Sequence, residues 1–231
     1  MDIVTFKINK RPWEDNRQLF SKGTLTLTEG ETYCFVGCNG TGKTTLTDFI
    51  MKKLISDGAY EIKGSYLDMR GVFKDQKYND TLIYSFDKRK NDVNSYEGLI
   101  LSHSQVAFSS TGEGIISRLG NGLAILGATI RSKENTGKKL WVFFDDCDAG
   151  TSLDIIGDIK SVLNLVAQDC KDNNITLTIV LTANSYEMCR SGCKCIDVYD
   201  FSEKTFATYE DYKKFVLKSR KRKEKSYGTG E

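Results

Sequence analysis

The residues that most clearly could do chemistry form a glycine-rich segment, GCNGTGKT, from Gly37 to Thr44. The segment matches the pattern GxxxxGK[ST] of a phosphate-binding loop in full. It follows an apolar, β-rich run and precedes a helical pattern, the context in which a glycine loop turns consecutive N–H groups toward phosphates. It predicts a nucleotide site made of Gly37, Cys38, Asn39, Gly40, Thr41, Gly42, Lys43, Thr44 and Thr45.

The loop also predicts the ligands of the site, which are ATP and Mg²⁺. Lys43 would reach the β- and γ-phosphates, and the hydroxyl of Thr44 would bind Mg²⁺. The helix that begins near Gly42 would point the positive end of its dipole at the same anion.

A second motif is an apolar strand, LWVFF, that ends in two carboxylates, Asp145 and Asp146. An acid at such a strand end holds Mg²⁺ in P-loop enzymes, which fits Asp145. Asp146 is placed to orient or deprotonate the attacking water. A solvated acidic turn is the alternative, and the complete phosphate loop favours the catalytic interpretation.

These motifs need a scaffold of strands that alternate with helices. Strand patterns cover residues 3–8, 23–28, 31–36, 140–144 and 175–181, and helical patterns cover 44–55, 114–130, 154–170 and 211–225. The alternation predicts an α/β fold with a mostly parallel central sheet flanked by helices, together with an antiparallel β part at the N-terminus.

Further segments resemble those of ABC ATPases. Ser110-Thr111-Gly112-Glu113 precedes a helical pattern and resembles the SGGE form of the ABC signature, with Thr111 in place of a Gly. Residues 147–154 resemble the D-loop and end at Asp154. Residues 181–185 stand where the switch loop would lie, with Asn184 in the place of the usual His. Asp146 likewise stands where a Glu is usual. As a motif without context, residues 108–114 would also fit a simple turn and helix cap.

The resemblance covers roughly residues 23–200 and implies how the protein would work. Two ATPase domains would pair head to tail around ATP, so that Ser110, Thr111, Gly112 and Glu113 complete the site of the partner copy. Gln76 would be a further Mg²⁺ contact or a surface residue. Trp13 would stack on adenine or be a packed aromatic. Asn184 can hydrogen-bond a phosphate or water but cannot become cationic, which implies slow hydrolysis.

We interpret the whole of 1–231 as one ABC-type domain. Residues 1–58 and 138–210 would form the nucleotide-binding core, 59–137 a small helical signature lobe, and 211–231 a basic tail. Three functions stay open: a non-transport ATPase that acts on nucleic acid or a nucleoprotein, the ATPase subunit of an ABC transporter, and a slow ATP-sensing regulator with an unidentified protein partner.

Charge and composition bear on partners and location. The net charge is +2, but residues 213–225 carry +7 and the rest of the chain −5. This segment would bind nucleic acid, or it would be a solvated helix end. The sequence has neither a signal-peptide pattern nor an apolar run long enough to cross a bilayer, so we expect a cytoplasmic protein without membrane insertion.

The seven cysteines contain one cluster in sequence, formed by Cys189, Cys193 and Cys195. No CxxC pair is present, and a structural zinc site needs four ligands. We therefore interpret the three as reduced thiols.

Overall fold

The computed structural model describes residues 2–13, 17–63, 66–68, 78–87, 123–146, 148, 152–190 and 192–227. In these residues the strands are β1 (Ile3–Lys7), β2 (Thr24–Thr28), β3 (Thr32–Val36), β4 (Tyr60–Lys63), β5 (Tyr66–Asp68), β6 (Thr81–Asp87), β7 (Lys139–Asp145), β8 (Thr176–Thr182), β9 (Lys194–Asp197) and β10 (Glu203–Lys204). The helices are α1 (Lys43–Ser56), α2 (123–131), a 3₁₀ turn (Lys133–Asn135), α3 (Leu153–Asp172), α4 (Tyr186–Cys189) and α5 (Tyr209–Tyr227).

The described strands form two sheets. The larger sheet has eight strands in the order β10-β9-β3-β8-β7-β6-β4-β5, and the smaller one pairs β1 with β2 antiparallel. Within the larger sheet only the outermost pairs, β10 with β9 and β4 with β5, are antiparallel. The predicted α/β fold, with a mostly parallel sheet and an N-terminal antiparallel part, is confirmed.

The central strand β7 shows why the sheet is buried on both faces. Leu140, Val142 and Phe144 point into a core with α2, α3 and α5. Trp141 and Phe143 point into a second core with α1 and the small β1-β2 sheet. Successive side chains of a strand alternate between faces, so an unbroken apolar run such as LWVFF requires cover on both sides.

The central sheet continues beyond the predicted core boundary at residue 58. Strands β4, β5 and β6 fall in the range 59–137, which the sequence interpretation assigned to a signature lobe, yet they pair within the main sheet. Strand β6 runs parallel to β7 over seven residue pairs, from Thr81 opposite Lys139 to Asp87 opposite Asp145. This pairing is non-local, so the local pattern of residues 59–87 did not reveal it.

A buried ion pair joins the small sheet to the start of β7. The Nζ atom of Lys139 lies 2.8 Å from Oε2 of Glu29 and 2.9 Å from Oδ2 of Asp2. The side chain of Glu29 is only 2% exposed, whereas that of Asp2 is 71% exposed. Glu29 therefore depends on Lys139 for compensation of its charge, since a buried carboxylate without a partner is strongly unfavourable.

We predict that Lys139→Met lowers the free energy of unfolding by about 3–5 kcal/mol, because it leaves Glu29 buried without its cation. Lys194→Met is the matched control. It breaks a 3.0 Å pair with Glu31 whose side chains are 40% and 31% exposed, and exposed pairs contribute at most about 1 kcal/mol. Guanidinium unfolding followed by circular dichroism measures both. Equal destabilisation by the two changes would contradict the special role of the buried pair.

Candidate nucleotide-binding site

The site lies where three neighbouring parallel strands end. In the sheet β8 stands between β3 and β7, with Phe35 opposite Thr182 and Phe144 opposite Leu181. Parallel strands present their carboxyl ends at the same edge, where open α/β sheets bind ligands. At this edge the phosphate loop after β3 therefore meets the acidic pair at the end of β7 and the switch segment after β8.

The phosphate loop has a backbone that glycine makes possible. Gly40 and Gly42 have φ angles of 77° and 95°, a left-handed region that residues with a Cβ rarely adopt. Gly42 caps the N-terminus of α1, and a Cβ on it would lie 3.0–3.2 Å from Leu19 and Phe20. The glycine pattern that predicted the loop thus reflects both backbone conformation and close packing.

Lys43 is held inside this loop. Its ammonium group donates to the carbonyl oxygens of Gly37 at 2.9 Å and Cys38 at 3.4 Å, and the residue is 8% exposed. Burial lowers the pKa of Lys43, while the carboxylates of Asp146, Asp148 and Asp145 act in the opposite direction. A phosphate in the loop would supply the anionic partner that a buried ammonium group favours.

The carboxylate of Asp145 accepts hydrogen bonds from hydroxyl groups of two other elements. Thr44 of α1 donates to its carboxylate at 2.8 and 3.1 Å, and Thr182 of β8 donates to Oδ1 at 2.7 Å. Adjacent ligand oxygens of an octahedral Mg²⁺ lie about 2.9 Å apart. The oxygens of Thr44 and Asp145 already have this spacing, so the two residues fit Mg²⁺, as their patterns predict.

Asp146 has a left-handed backbone, with φ of 57°. Its N–H donates to Oγ1 of Thr182 at 2.7 Å, and its Oδ1 accepts from Nδ2 of Asn184, also at 2.7 Å. Asp and Asn tolerate this conformation better than most residues. The structure therefore brings together Asp146 and Asn184, two residues that the sequence placed in separate motifs.

Asp148 is a site residue to which the sequence interpretation gave no role. It is 5% exposed, and its carboxylate accepts the N–H groups of Asn184 at 2.9 and 3.1 Å and of Ser185 at 2.7 Å. It thereby fixes the switch segment against the segment that follows β7. Its position in the D-loop-like segment was the only available signal, because its partners are 36 and 37 residues away.

The basic C-terminal segment also reaches the loop, as part of α5. Oγ of Ser219 accepts the N–H of Cys38 at 3.1 Å, and Nζ of Lys223 donates to the carbonyl oxygen of Asn39 at 2.8 Å. Arg222 pairs with the buried Asp197 at 2.8 Å. The helix was predicted, but part of its charge is used inside the domain, so residues 213–225 do not form a separate tail.

A cavity of about 330 Å³ occupies the expected nucleotide position. It is lined by Trp13, Arg17, Leu19, Asn39, Gly40, Gly42, Lys43, Thr44, Thr45, Asp146, Thr182 and Asn184. Trp13 is 46% exposed, so its ring is accessible at this cavity. A larger cavity of about 790 Å³ lies on the other side of Asn39 and Asn184, against α5.

Several predicted residues fall outside the part of the chain that the structure describes. They are Gln76 and the whole signature segment Ser110, Thr111, Gly112 and Glu113. Their assignments stay predictions. Asp154 is described, in the first turn of α3, where a hydrogen bond from Ser152 lowers its pKa.

Comparisons with known proteins find one family match and solved structures to which this chain is similar. The family model described as ABC transporter matches residues 20–120. A solved ATP-binding cassette of an ABC transporter in its ADP conformation is similar, with a TM-score of 0.50 and 12% identity, over 94% of this chain and 97% of that one. A nucleotide-free ATP-binding cassette from an ABC transporter has a TM-score of 0.46 and 14% identity, over 94% and 98%. No curated protein matches significantly.

The fold and the loop define a P-loop α/β protein with an architecture similar to that of an ATP-binding cassette. The family match is limited to residues 20–120, and the fold is similar to that of an ATP-binding cassette. Among the described helices, none combines the length and apolar character needed to span a membrane.

Proposed function

We propose that this protein binds Mg²⁺-ATP in the 330 Å³ cavity and hydrolyses it. The observation that carries the proposal is the contact of Thr44 with Asp145 beside the buried ammonium group of Lys43. The ammonium group of Lys43 would pair with the negative phosphates, and the hard oxygen ligands of Thr44 and Asp145 would bind the positive Mg²⁺ ion.

Each residue has a role in this mechanism. Lys43 and the N–H groups of the loop would bind the β- and γ-phosphates, and Thr44 and Asp145 would hold Mg²⁺, which would neutralise charge on the phosphate oxygens. Asp146 accepts the proton of a water that attacks the γ-phosphorus, while the bond to the β,γ-bridging oxygen breaks and ADP leaves. Trp13, which lines the cavity, would stack on the base.

The hydrogen bond between Asn184 and Asp146 favours slow turnover. The amide holds the carboxylate through Nδ2, but it cannot take a positive charge when charge develops on the phosphoryl group. A long-lived ATP-bound state would follow, which suits a switch or sensor more than a rapid motor.

We further propose that ATP joins two copies of the chain. Ser110, Thr111, Gly112 and Glu113 of one copy would contact the γ-phosphate bound by the other, in an arrangement with twofold symmetry. The family match, which includes these residues, supports this proposal. ATP binding would close the dimer, and hydrolysis or release would open it.

Lys43→Ala should abolish ATP binding in calorimetry, because it removes the cation that faces the phosphates. Lys52→Ala is the control, since Lys52 lies on the exposed side of the same helix. Circular dichroism should show both variants folded. Unchanged ATP affinity in folded Lys43→Ala would overturn the site.

Asp146→Asn should retain ATP binding, slow hydrolysis by about 10²–10⁴-fold and trap the dimer. Asn keeps the left-handed backbone and the size of the side chain, so the change acts on charge. Light scattering should show a doubled mass with ATP. Adding Ser110→Arg should restore the monomer, because it places a bulky cation at the proposed interface. Hydrolysis at the parent rate would show that the base lies elsewhere.

Nucleic acid is the partner that the surface of α5 favours. Lys214, Lys218, Lys221 and Lys225 are exposed and follow the spacing i, i+4, i+7 and i+11, which places them on one helical face. No carboxylate of the described residues pairs with them. This lysine stripe would contact phosphates of a nucleic acid without reading its bases.

The alternative is a transporter ATPase subunit, which the name of the matched family and of the similar structure supports equally.

Replacing the four lysines of the stripe with Gln should weaken binding to duplex DNA at low salt. It should also flatten the log–log salt dependence, by roughly 0.9 for each phosphate that the protein no longer neutralises. The design spares Ser219, Arg222 and Lys223, whose contacts stabilise the domain. The same change at the exposed Lys7, Lys52, Lys133 and Lys171 is a control of equal charge. Fluorescence anisotropy measures both. Equal affinities in all forms would favour the transporter alternative.

A further inference from the structure

A cluster of four cysteines lies beneath the switch segment, and the proposed ATPase mechanism does not use it. Cys189, Cys193 and Cys195 form the cluster seen in the sequence, and the fold adds Cys34 from β3. Cys34 lies opposite Cys195 in the parallel register of β3 and β9, so their side chains emerge on the same face of the sheet. Three segments of the chain thus converge on one point.

Three of the four sulphur atoms are mutually spaced nearly as ligands of one metal ion, and the fourth, that of Cys189, is close to Cys34 but not within 4.8 Å of all three. The Sγ atoms of Cys34 and Cys189 are 3.7 Å apart, and those of Cys34, Cys193 and Cys195 all lie within 4.8 Å of one another. In a tetrahedral site with zinc–sulphur bonds of about 2.3 Å, the sulphurs lie about 3.8 Å apart. The widest of the three spacings would therefore have to shorten by at most about 1 Å. Sulphurs bound to the different irons of an iron–sulphur cluster lie farther apart than in a mononuclear site, so the spacing favours a single ion.

The surroundings of the cluster fit a structural site. Cys34, Cys189 and Cys195 are buried, and Cys193 is half-buried. The turn before Cys193 contains Gly192 with φ of 76°, a conformation that returns the chain toward β9 within a few residues. A closed, buried set of four thiolates is the usual structural zinc site, whereas a catalytic site keeps an open position.

A buried donor also faces the cluster. Tyr212 is 5% exposed, and its hydroxyl group makes no hydrogen bond of good geometry with the described residues, although burial and the nearby thiol of Cys189 both raise its pKa. It packs in the same core as Cys34, Cys189 and Cys195. Buried polar groups without partners are rare. A zinc-bound thiolate would provide the acceptor, in the manner of the outer-shell donors that orient metal ligands.

We propose that Cys34, Cys189, Cys193 and Cys195 bind one Zn²⁺ ion in a tetrahedral structural site. The ion would join β3, three residues before Gly37 of the phosphate loop, to α4, which follows Asn184 and Ser185 of the switch segment. It would thereby fix the switch segment relative to the loop. This site does not depend on the proposed ATPase activity, and its test is independent of turnover.

The test measures metal in the intact protein, purified without chelators or a metal-affinity step from zinc-supplemented medium. Plasma mass spectrometry should find about one zinc per chain, and a mercurial that modifies thiols should release it to a metallochromic dye. Cys34→Ser, Cys189→Ser, Cys193→Ser and Cys195→Ser should each lose most of the zinc. Cys170→Ser is the matched control, since Cys170 is equally buried but lies on α3 outside the cluster.

A second measurement keeps the proposal falsifiable if the serine variants do not fold. Wild-type protein stripped of metal and given Co²⁺ should develop the intense visible bands of tetrahedral thiolate coordination. Zinc should also protect the four cysteines, and not Cys38, from alkylation in peptide mapping. Metal-free protein with four alkylated thiols and no cobalt spectrum would overturn the proposal. A disulfide between Cys34 and Cys189, or bound iron instead of zinc, would do the same.

Discussion

The alignment of three strand ends around the carboxylate of Asp145 is the constraint on which the rest of the site depends. The carboxylate is 5% exposed and accepts hydroxyl groups from α1 and β8. A buried carboxylate is tolerable only with such partners. This requirement positions the first turn of α1, and with it Lys43 and the phosphate loop. Through Thr182 it also positions the backbone of Asp146.

Other buried charged residues connect the outer elements of the domain to the surroundings of Asp145, because they too need partners. The carboxylate of Asp148 accepts N–H groups from the switch segment, and that of Asp197 pairs with Arg222 of α5. Glu29 requires Lys139 from the start of β7. Each pair joins parts distant in the chain, and breaking it would leave an uncompensated charge. The small sheet, the switch segment and α5 are therefore connected to the edge that carries the candidate site by specific contacts as well as by apolar packing.

The docking of α5 on the phosphate loop gives the C-terminal helix two distinct faces. Ser219 and Lys223 satisfy backbone groups of Cys38 and Asn39, while the lysine stripe points away from the domain. A ligand that pulled on the stripe would act directly on the loop proposed to bind phosphate. In the proposed function, this gives a partner on α5 a short physical route to the nucleotide.

Most local elements could be predicted from the sequence, because their signals are local. The strands before and after the phosphate loop, and helices α1, α3 and α5, agree with the structure within about two residues at each end. Strands β4 to β6 were assigned outside the core, because their place in the sheet depends on β7, more than 50 residues later. Asp148 has only its place in the D-loop-like segment as a local signal, because its partners are also distant in the chain.

The sequence by itself determined the phosphate loop, the acidic strand end and the alternation of strands and helices. Each is a continuous stretch in which spacing dictates backbone geometry. Only the tertiary structure decided which distant groups meet. It placed Asn184 on Asp146, Trp13 at the nucleotide cavity and Ser219 on the loop. It also added a fourth cysteine to the cluster, since Cys189, Cys193 and Cys195 alone are too few for a structural zinc site. Cys34 completes the set because parallel pairing of β3 with β9 brings residues 161 positions apart side by side.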